Sequence, residues 1–245
     1  MIDTLIIIPT YDECENVRTI VTAVFNHSPN IHVLFVDDNS PDGTGAIIDE
    51  MAEADPRVYV LHRKEKDGLG RAYIAGFKWA LNREYRFIFE MDADFSHNPA
   101  DIPRMRSAAE DADLVLGSRY INGIRVINWP MSRLILSRGA GLYVKLITGM
   151  PFTDPTGGFK CFRRQVLEAI PLDKIVSNGY SFQIEMTHAA WRMRYRIVEV
   201  PIVFEERRSG ASKMSKKIIF EALWTVWKLR FRTYFGRRVP ERDKI

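Results

Sequence analysis

Cysteine is scarce in this chain. Only Cys14 and Cys161 occur among its 245 residues, and neither belongs to a CxxC pair or a Cys/His cluster. We therefore expect neither a disulfide scaffold nor a zinc site, and the reducing cytosol is the simplest compartment. No run of about 18 uninterrupted apolar residues occurs, which predicts no membrane-spanning helix. The first ten residues lack the basic and apolar regions of a signal peptide.

Two familiar phosphate-binding motifs are also absent. No glycine-rich turn follows the first predicted strand, and Gly68 and Gly70 lack the third glycine of a dinucleotide-binding GxGxxG motif. No GxxxxGKS or GxxxxGKT sequence occurs. These absences weigh against a nicotinamide or flavin cofactor and against phosphoryl transfer by a P-loop enzyme.

Charge is unevenly distributed along the chain. The net charge is +4, but the residues from Arg207 onward include 12 Lys/Arg and 3 Asp/Glu, whereas the preceding part includes 23 and 28. A mildly acidic body therefore ends in a strongly basic tail. Such a tail binds an anionic surface, either phospholipid or nucleic acid, or forms the solvated face of a helix.

The length suits one α/β domain with a short extension. Short β-branched runs alternate with helical spacing in the first half, which predicts βαβ units in a mostly parallel sheet. We predict strands at residues 4–8, 31–36, 57–61, 86–91, 112–116 and 196–204. We predict helices at residues 13–26, 45–54, 69–81, 100–110, 133–148, 182–192 and 216–234.

Polar clusters follow three of these strands, where ligands of such sheets bind. Asp92 and Asp94 flank one alanine after the fourth strand, and paired carboxylates suit Mg²⁺ or Mn²⁺. An aspartate in a loop also serves as a helix cap, so the pair alone is weak evidence. The acidic residues of the DDNSPDGT segment can bind a ribose or a base edge, although the same segment is strong turn chemistry. Tyr11, after the first strand, can stack on a base.

Together with further segments, these motifs resemble the family-2 glycosyltransferases, and within them the dolichyl- or polyprenyl-phosphate mannose synthases. The segments, in chain order, are IIIPTYDECENV, VDDNSPDGT, GLGRAYIAGF, MDADFSHNP, GSRY, SRLILSRGAG, DPTGGFKCFRR, GYSFQIEM and ERRSGASKM. The resemblance implies a GT-A fold, which is a Rossmann-like α/β fold. It also implies inverting transfer of mannose from GDP-mannose to a polyprenyl phosphate, with Mg²⁺ or Mn²⁺ as cofactor.

The resemblance also implies roles for individual residues on the donor side. The nucleoside would be held by Pro9, Tyr11, Glu13, Val36 and Asp38. The metal and the diphosphate would be held by Asp92, Ala93 and Asp94, with Ser96 as a further metal neighbour.

On the acceptor side, the resemblance implies that Arg119, Arg133 and Ser137 meet the lipid phosphate, because guanidinium groups pair with two phosphate oxygens. Asp92, Asp94 and Arg119 would be catalytic, and Arg119 would also bind the nucleotide-sugar by offsetting charge on its diphosphate. Arg207 and Lys213 would belong to a loop that closes over the donor diphosphate. Glu185 is a tempting general base, but orienting an arginine or capping a helix would explain it equally well.

The expected organisation is a catalytic domain over 1–214 and a basic amphipathic helix and tail over 215–245. The aromatic residues of that helix fit an interfacial membrane helix or a helix packed on the domain; they are Trp224, Trp227, Phe231, Tyr234 and Phe235. We expect a peripheral protein at the cytoplasmic face of a membrane, with a membrane-protein partner possible and no nucleic acid bound. The alternatives are a UDP-glucose-dependent or other family-2 transferase, a nucleic-acid-binding module and a catalytically silent sugar-nucleotide sensor.

Overall fold

A computed structural model describes residues 2–205 and 216–232, with only the backbone described for 216–222. The predicted lid residues Arg207 and Lys213, and the predicted interfacial residues Tyr234 and Phe235, lie outside these ranges. The strands are β1 (Thr4–Thr10), β2 (His32–Asp37), β3 (Val58–His62), β4 (Phe87–Glu90), β5 (Leu114–Ser118), β6 (Val126–Ile127), β7 (Lys160–Arg163), β8 (Ile197–Pro201) and β9 (Phe204–Glu205). The helices are α1 (Val17–His27), α2 (Thr44–Ala54), α3 (Leu69–Leu81), α4 (Ile102–Ala108), α5 (Met131–Thr148), α6 (Arg164–Ala169), α7 (Gly179–Arg192) and α8 (Lys216–Phe231).

Seven strands form one sheet in the order β3-β2-β1-β4-β7-β5-β8, and β6 pairs with β9 in a separate two-stranded ladder. All pairings in the large sheet are parallel except those of β7, which runs antiparallel to both β4 and β5. The predicted α/β fold with a mostly parallel sheet is therefore confirmed. The sequence patterns did not predict β7 or α6. The four residues of β7 are charged at both ends, and pairing with two neighbours makes them a strand.

The central strands are apolar on both faces because helices cover both faces. Leu5 and Ile7 of β1 face a core that includes side chains from α3 and from α5–α8, whereas Ile6 and Ile8 face a core built with α1, α2 and α4. The alternation follows from the two-residue repeat of a strand. These layers leave the carboxyl ends of the parallel strands along one edge of the sheet.

Several predicted boundaries differ from the structure. The predicted helix at 13–26 begins only at Val17, because Glu13 and Asn16 form a turn in which the Asn16 amide donates to the Glu13 carboxylate at 2.6 Å. The predicted helix at 100–110 is a 3₁₀ turn, Pro99–Asp101, followed by α4. The predicted strand at 196–204 divides into β8 and β9. The helix predicted at 182–192 begins earlier, at Gly179.

Helix α8 packs against α5 and α7. Tyr143 of α5 donates a hydrogen bond to the carbonyl oxygen of Leu223 at 3.2 Å, and Val226 and Leu229 are buried. The predicted boundary at residue 214 falls outside the described ranges, so the two-part organisation stays a prediction. Among the helices of the described ranges, none has the length and apolarity needed to cross a bilayer.

A buried charge pair joins β4 to β7. Glu90 and Lys160 are directly opposed in the antiparallel register and both are fully buried, so their side chains share one face of the sheet. Lys160 Nζ donates to the backbone carbonyl of Gln183 at 2.8 Å and to its side-chain oxygen. Neither Glu90 oxygen has a hydrogen bond of normal geometry among the described residues. Burial raises the pKa of Glu90 to about 7 against the opposing effect of Lys160, and burial lowers the pKa of Lys160 to about 8.

Replacing Glu90 with glutamine is predicted to change the pH dependence of stability. An unfolded glutamate ionises near pKa 4.5, whereas folded Glu90 ionises near 7, so the wild-type folded state loses stability as pH rises between these values. Glutamine does not ionise, so the Glu90→Gln variant does not lose this stability. Its unfolding free energy should therefore rise by about 3 kcal/mol relative to that of wild type between these two pH values. Removing the Glu90 charge also lowers the pKa of Lys160 further. This second shift also makes the variant more stable relative to wild type as pH rises.

Urea unfolding of both proteins without metal, at about pH 5 and about pH 8, measures this difference. Glu53→Gln on the exposed surface of α2 provides the control. An unfolding free energy difference between Glu90→Gln and wild type that is equal at both pH values would contradict the raised pKa of folded Glu90.

Candidate functional site

The loops that follow β1 and β2 are joined by hydrogen bonds at the edge of the sheet. The Asp38 backbone N–H donates to the carbonyl of Thr10 at 3.1 Å, and the Thr10 hydroxyl donates to Asp37 Oδ1 at 3.2 Å. The Glu13 backbone N–H donates to the Thr44 hydroxyl at 3.0 Å. Two segments far apart in the sequence therefore form one polar surface.

The five predicted nucleoside residues lie on this surface or directly beneath it. Pro9 and Val36 are register partners on β1 and β2, and Tyr11, Glu13 and Asp38 follow the two strand ends. The structure thus brings together all five residues. Their role in binding a nucleoside stays a prediction.

Two cations that the sequence analysis missed contact this surface. The Arg63 guanidinium pairs with Asp38 at 2.6 Å, and Lys66 Nζ lies 3.5 Å from the centroid of the Tyr11 ring. Burial raises the pKa of Asp38, while Arg63 opposes that shift. Both cations belong to the basic run that follows β3. Because β3 is parallel to β2, this run emerges at the same edge of the sheet, and that position was the signal that could have revealed the two residues.

The Asp92-Ala93-Asp94 segment follows β4 at the same edge. The Asp92 side chain is 34% exposed, whereas Asp94 is buried. The Tyr73 hydroxyl donates to Asp92 Oδ1 at 3.4 Å. Ser96 donates its backbone N–H at 3.0 Å, and also its hydroxyl, to Asp94 Oδ1. Ser96 therefore orients a carboxylate, and its role as a metal neighbour stays a prediction.

The donor atoms of this segment fit a hard divalent cation only together with oxygens from a substrate. Within residues 2–205 and 216–232, no group of three or more His, Cys, Asp or Glu side chains is arranged to hold a metal ion. Mg²⁺ is commonly held by one or two carboxylates, with waters and substrate phosphates completing its shell. Asp92 and Asp94 match that donor set, since one partly exposed and one buried carboxylate lie on the same loop.

Each of the same three loops includes one non-glycine residue with a left-handed backbone, a conformation also found at Asn122, Asn128 and Arg194. Asp12, Asn39 and Phe95 each follow one of the strands β1, β2 and β4, and each adopts a left-handed conformation with φ near 60°. Aspartate and asparagine tolerate this region, but a bulky aromatic residue rarely does. Such a conformation costs about 1–3 kcal/mol and persists where the surrounding structure holds it, often at functional sites.

Arg119 follows β5 and is held by a buried carboxylate. Its guanidinium forms a two-pronged pair with Asp154, with Nε–Oδ2 at 2.7 Å and Nη2–Oδ1 at 2.6 Å, and it also donates to the Thr156 hydroxyl at 2.8 Å. Burial alone would lower the pKa of Arg119, but the Asp154 charge outweighs burial and raises it. Asp154 lies in the DPTGGFKCFRR segment. Because a buried arginine needs an opposite charge beside it, the presence of Arg119 was the signal that could have identified Asp154.

A groove between α5, α7 and α8 brings together the three residues predicted to meet the acceptor phosphate, Arg119, Arg133 and Ser137. The Arg133 guanidinium lies 4.2 Å from the centroid of the Trp129 ring, and Tyr120 donates to the Ser137 hydroxyl at 2.6 Å. The rest of the lining is mainly apolar: Trp129, Leu136, Ala140, Tyr143, Val144, Tyr180, Ile184, Leu223 and Val226, with Thr156. The groove is therefore cationic and polar at one part and apolar elsewhere.

Phe204 connects the carboxylate loop to this groove. Its ring contacts His97 edge-on at 5.7 Å and Trp129 edge-on at 5.4 Å, and the Arg119 guanidinium lies 5.5 Å from its centroid. Glu185 does not face an open site: it is buried and accepts hydrogen bonds from Ser177 and from Arg232, the residue after α8. The structure thus favours the interpretation that Glu185 orients an arginine.

Asp154→Ala is predicted to destabilise the protein by about 3–5 kcal/mol, because it leaves the buried Arg119 charge without its partner. The control is Glu50→Ala, which breaks the exposed Arg18–Glu50 pair, in which the side chains are 56% and 67% exposed. That pair should contribute about 0–1 kcal/mol. Urea unfolding measures both variants, and equal losses would contradict the proposed importance of the buried pair.

A family model described as glycosyl transferase family 2 matches residues 5–170. The chain is 50% identical to a polyprenol monophosphomannose synthase of Mycolicibacterium smegmatis over 240 residues, which cover 96% of this chain and 91% of the relative. It is 50% identical to an undecaprenyl-phosphate mannosyltransferase of Micrococcus luteus over 222 residues, 91% of each chain. A dolichol-phosphate mannosyltransferase of Pyrococcus furiosus is 35% identical over 91% of this chain and 62% of that protein.

Among solved structures, the chain resembles glucosyl-3-phosphoglycerate synthase from Mycobacterium tuberculosis in complex with Mn²⁺, UDP and phosphoglyceric acid. The TM-score is 0.70 at 13% identity, over 94% of this chain and 79% of that one. The same enzyme with Mg²⁺ and UDP gives a TM-score of 0.66 at 15% identity, over 92% and 78%. At this identity the likeness shows the fold alone, and it confirms the predicted GT-A architecture. The family model covers more than half of the chain, so the chain belongs to glycosyl transferase family 2.

Proposed function

We propose that the protein transfers mannose from GDP-mannose to a polyprenyl phosphate, with inversion at the anomeric carbon. The observation that carries the proposal is the groove in which Arg119, Arg133 and Ser137 meet a mainly apolar lining beside the Asp92 and Asp94 loop. The relatives at 50% identity, which are named as mannose-transferring enzymes acting on prenyl phosphates, support it.

The groove suits an amphipathic acceptor. Arg133 and Ser137 would bind the phosphate, with Arg119 beside them, because guanidinium groups donate paired hydrogen bonds to phosphate oxygens. Asp154 already engages Arg119, so this arginine would supply positive charge and fixed geometry. The apolar lining from α5, α7 and α8 would bind the isoprenoid chain by removing its surface from water.

The donor would bind across the loops after β1, β2 and β4. Tyr11 and Asp38 would contact the nucleoside, and Asp92 and Asp94 would hold Mg²⁺ or Mn²⁺ with the diphosphate. When bound, the cation would supply positive charge that stabilises the departing diphosphate. Arg207 and Lys213, outside the described residues, would add positive charge over the same group.

The chemical step needs positioning more than a strong base. A phosphate oxygen of the acceptor attacks the anomeric carbon as the bond from that carbon to the diphosphate oxygen breaks, and GDP leaves with the electron pair. A phosphate monoester is already ionised near pH 7, with a second pKa of about 6. Fixed geometry and electrostatic stabilisation then lower the barrier. Arg119, locked by Asp154, is suited to this role because it need not reorganise during the step.

A membrane surface would present the acceptor. Met131, Ile135, Leu142 and Leu146 lie along one stripe of α5 and are exposed by 58–71%, at spacings that place them on one helix face. Arg138 and Lys145 lie on the same stripe. Helix α8, which also lines the groove, presents three exposed aromatic residues: Trp224, Trp227 and Phe231. Apolar and basic residues in this combination are typical of helices that lie in a membrane interface, so we infer peripheral attachment at the cytoplasmic face.

A transfer assay tests the proposed reaction. We expect radiolabelled mannose to pass from GDP-mannose to a polyprenyl phosphate in the presence of Mg²⁺ or Mn²⁺ but not EDTA. Asp94→Ala should reduce the rate by at least about 100-fold, because charge on the leaving group loses its stabilisation. Glu53→Ala on α2 is the control. If only UDP-glucose or UDP-N-acetylglucosamine gives a lipid product, GDP-mannose is not the donor. If none of the donors gives a product, the proposed acceptor or the proposed activity is wrong.

Vesicle sedimentation tests the membrane surface. We expect the full chain to bind vesicles of phosphatidylglycerol and phosphatidylcholine. Leu142→Ser with Leu146→Ser should weaken binding about 10-fold or more, because two exposed apolar side chains that would insert into the membrane interface are lost. Val176→Ser is the control, since Val176 is 67% exposed but lies on the loop before α7. Equal binding by both variants would contradict the assignment of the α5 stripe.

A further inference from the structure

The loop between Asp92 and His97 is closed by the His97 imidazole. The Asp92 backbone N–H donates to His97 Nδ1 at 3.1 Å, and the same nitrogen lies 3.8 Å from Asp92 Oδ2. A backbone N–H can only donate, so Nδ1 must carry a lone pair and the ring proton must be on Nε2. The imidazole therefore contacts the backbone of the same residue whose carboxylate would hold the cation.

This closure holds a loop whose backbone conformation is unfavourable. Phe95, between Asp92 and His97, has φ of 61°. Asp94 and Ser96 form their hydrogen bonds within the same loop. A loop with a left-handed aromatic residue opens unless other contacts hold it. The bond from Asp92 to His97 spans Phe95 and is thus suited to hold it.

The imidazole is itself held rigidly. His97 is 1% exposed, and its ring stacks on Phe159 with centroids 5.0 Å apart and planes 18° from parallel. Phe204 contacts the His97 imidazole edge-on at 5.7 Å, and a backbone bridge pairs His97 with Phe204. Because two aromatic rings hold the imidazole in place, its Nδ1 atom can in turn hold the Asp92 N–H that donates to it.

We propose that His97 is a positioning residue for the cation site: its Nδ1 lone pair holds Asp92 so that both carboxylates of the loop face one bound cation. The inference rests on the proposed function, because that function requires the cation at Asp92 and Asp94. It assigns the role to the acceptor atom and not to the aromatic ring.

Two substitutions separate the acceptor atom from the ring. His97→Phe keeps an aromatic ring but removes the acceptor, whereas the Asn oxygen of His97→Asn lies at about the reach of Nδ1 and can still accept. Binding of Mn²⁺ to the full chain with GDP, followed by electron paramagnetic resonance, requires no turnover. We expect His97→Phe to weaken Mn²⁺ binding about 10- to 100-fold, and His97→Asn to restore most of the loss.

Several outcomes would overturn the proposal. Wild-type Mn²⁺ affinity in His97→Phe, or equal loss in both variants, would assign His97 a packing role only. If His97→Phe does not fold, long-range ¹H–¹⁵N spectra of the wild-type imidazole decide, since a proton on Nδ1 is incompatible with the proposal. If the wild type binds Mn²⁺ with GDP and His97→Phe does not, but mannose transfer is absent, the proposed function fails while the role of His97 stands.

Discussion

The hydrogen-bonded register of three parallel strands underlies the whole candidate site. β1 lies between β2 and β4, and its residues pair with both, Pro9 with Val36 and Ile7 with Glu90. Parallel strands in register end at one edge, so the loops that follow them must emerge side by side. Residues separated by long stretches of sequence thereby form one surface. Strain at a left-handed residue in each loop is tolerated because the strands beneath hold the loop ends.

Near this edge of the sheet, acidic side chains are matched by basic side chains, and the pairs differ in how deeply they are buried. Arg63 lies against Asp38, Lys160 opposes Glu90 across two strands, and Asp154 holds Arg119. Breaking the Arg119–Asp154 pair would leave a buried arginine charge without solvent or partner, which is far less favourable than keeping both members. The antiparallel β7 is central to this arrangement, because it supplies Lys160 and follows the segment that carries Asp154.

The site joins two chemically different halves. The loops after β1, β2 and β4 are rich in carboxylates and suit a nucleotide-sugar with a cation, whereas the groove between α5, α7 and α8 combines arginines with apolar walls. Phe204 touches both halves through His97 and Trp129. A transferase needs two substrates held in contact with water excluded, and an aromatic junction between a polar and an amphipathic site suits that need.

Sequence patterns alone predict the parallel sheet and most of its elements, because apolar alternation and helical spacing are local, and the order of the motifs along the chain indicates the family. The sequence also identified Asp92, Asp94, Arg119, Arg133 and Ser137 as residues of interest. The partners of these residues become visible only in the folded protein. Asp154, Lys160 and His97 act through contacts across strands or through a folded loop, and β7 becomes a strand through pairing on both sides, so neither composition nor periodicity reveals them. Contacts of this kind depend on burial and register, which exist only once the chain has folded.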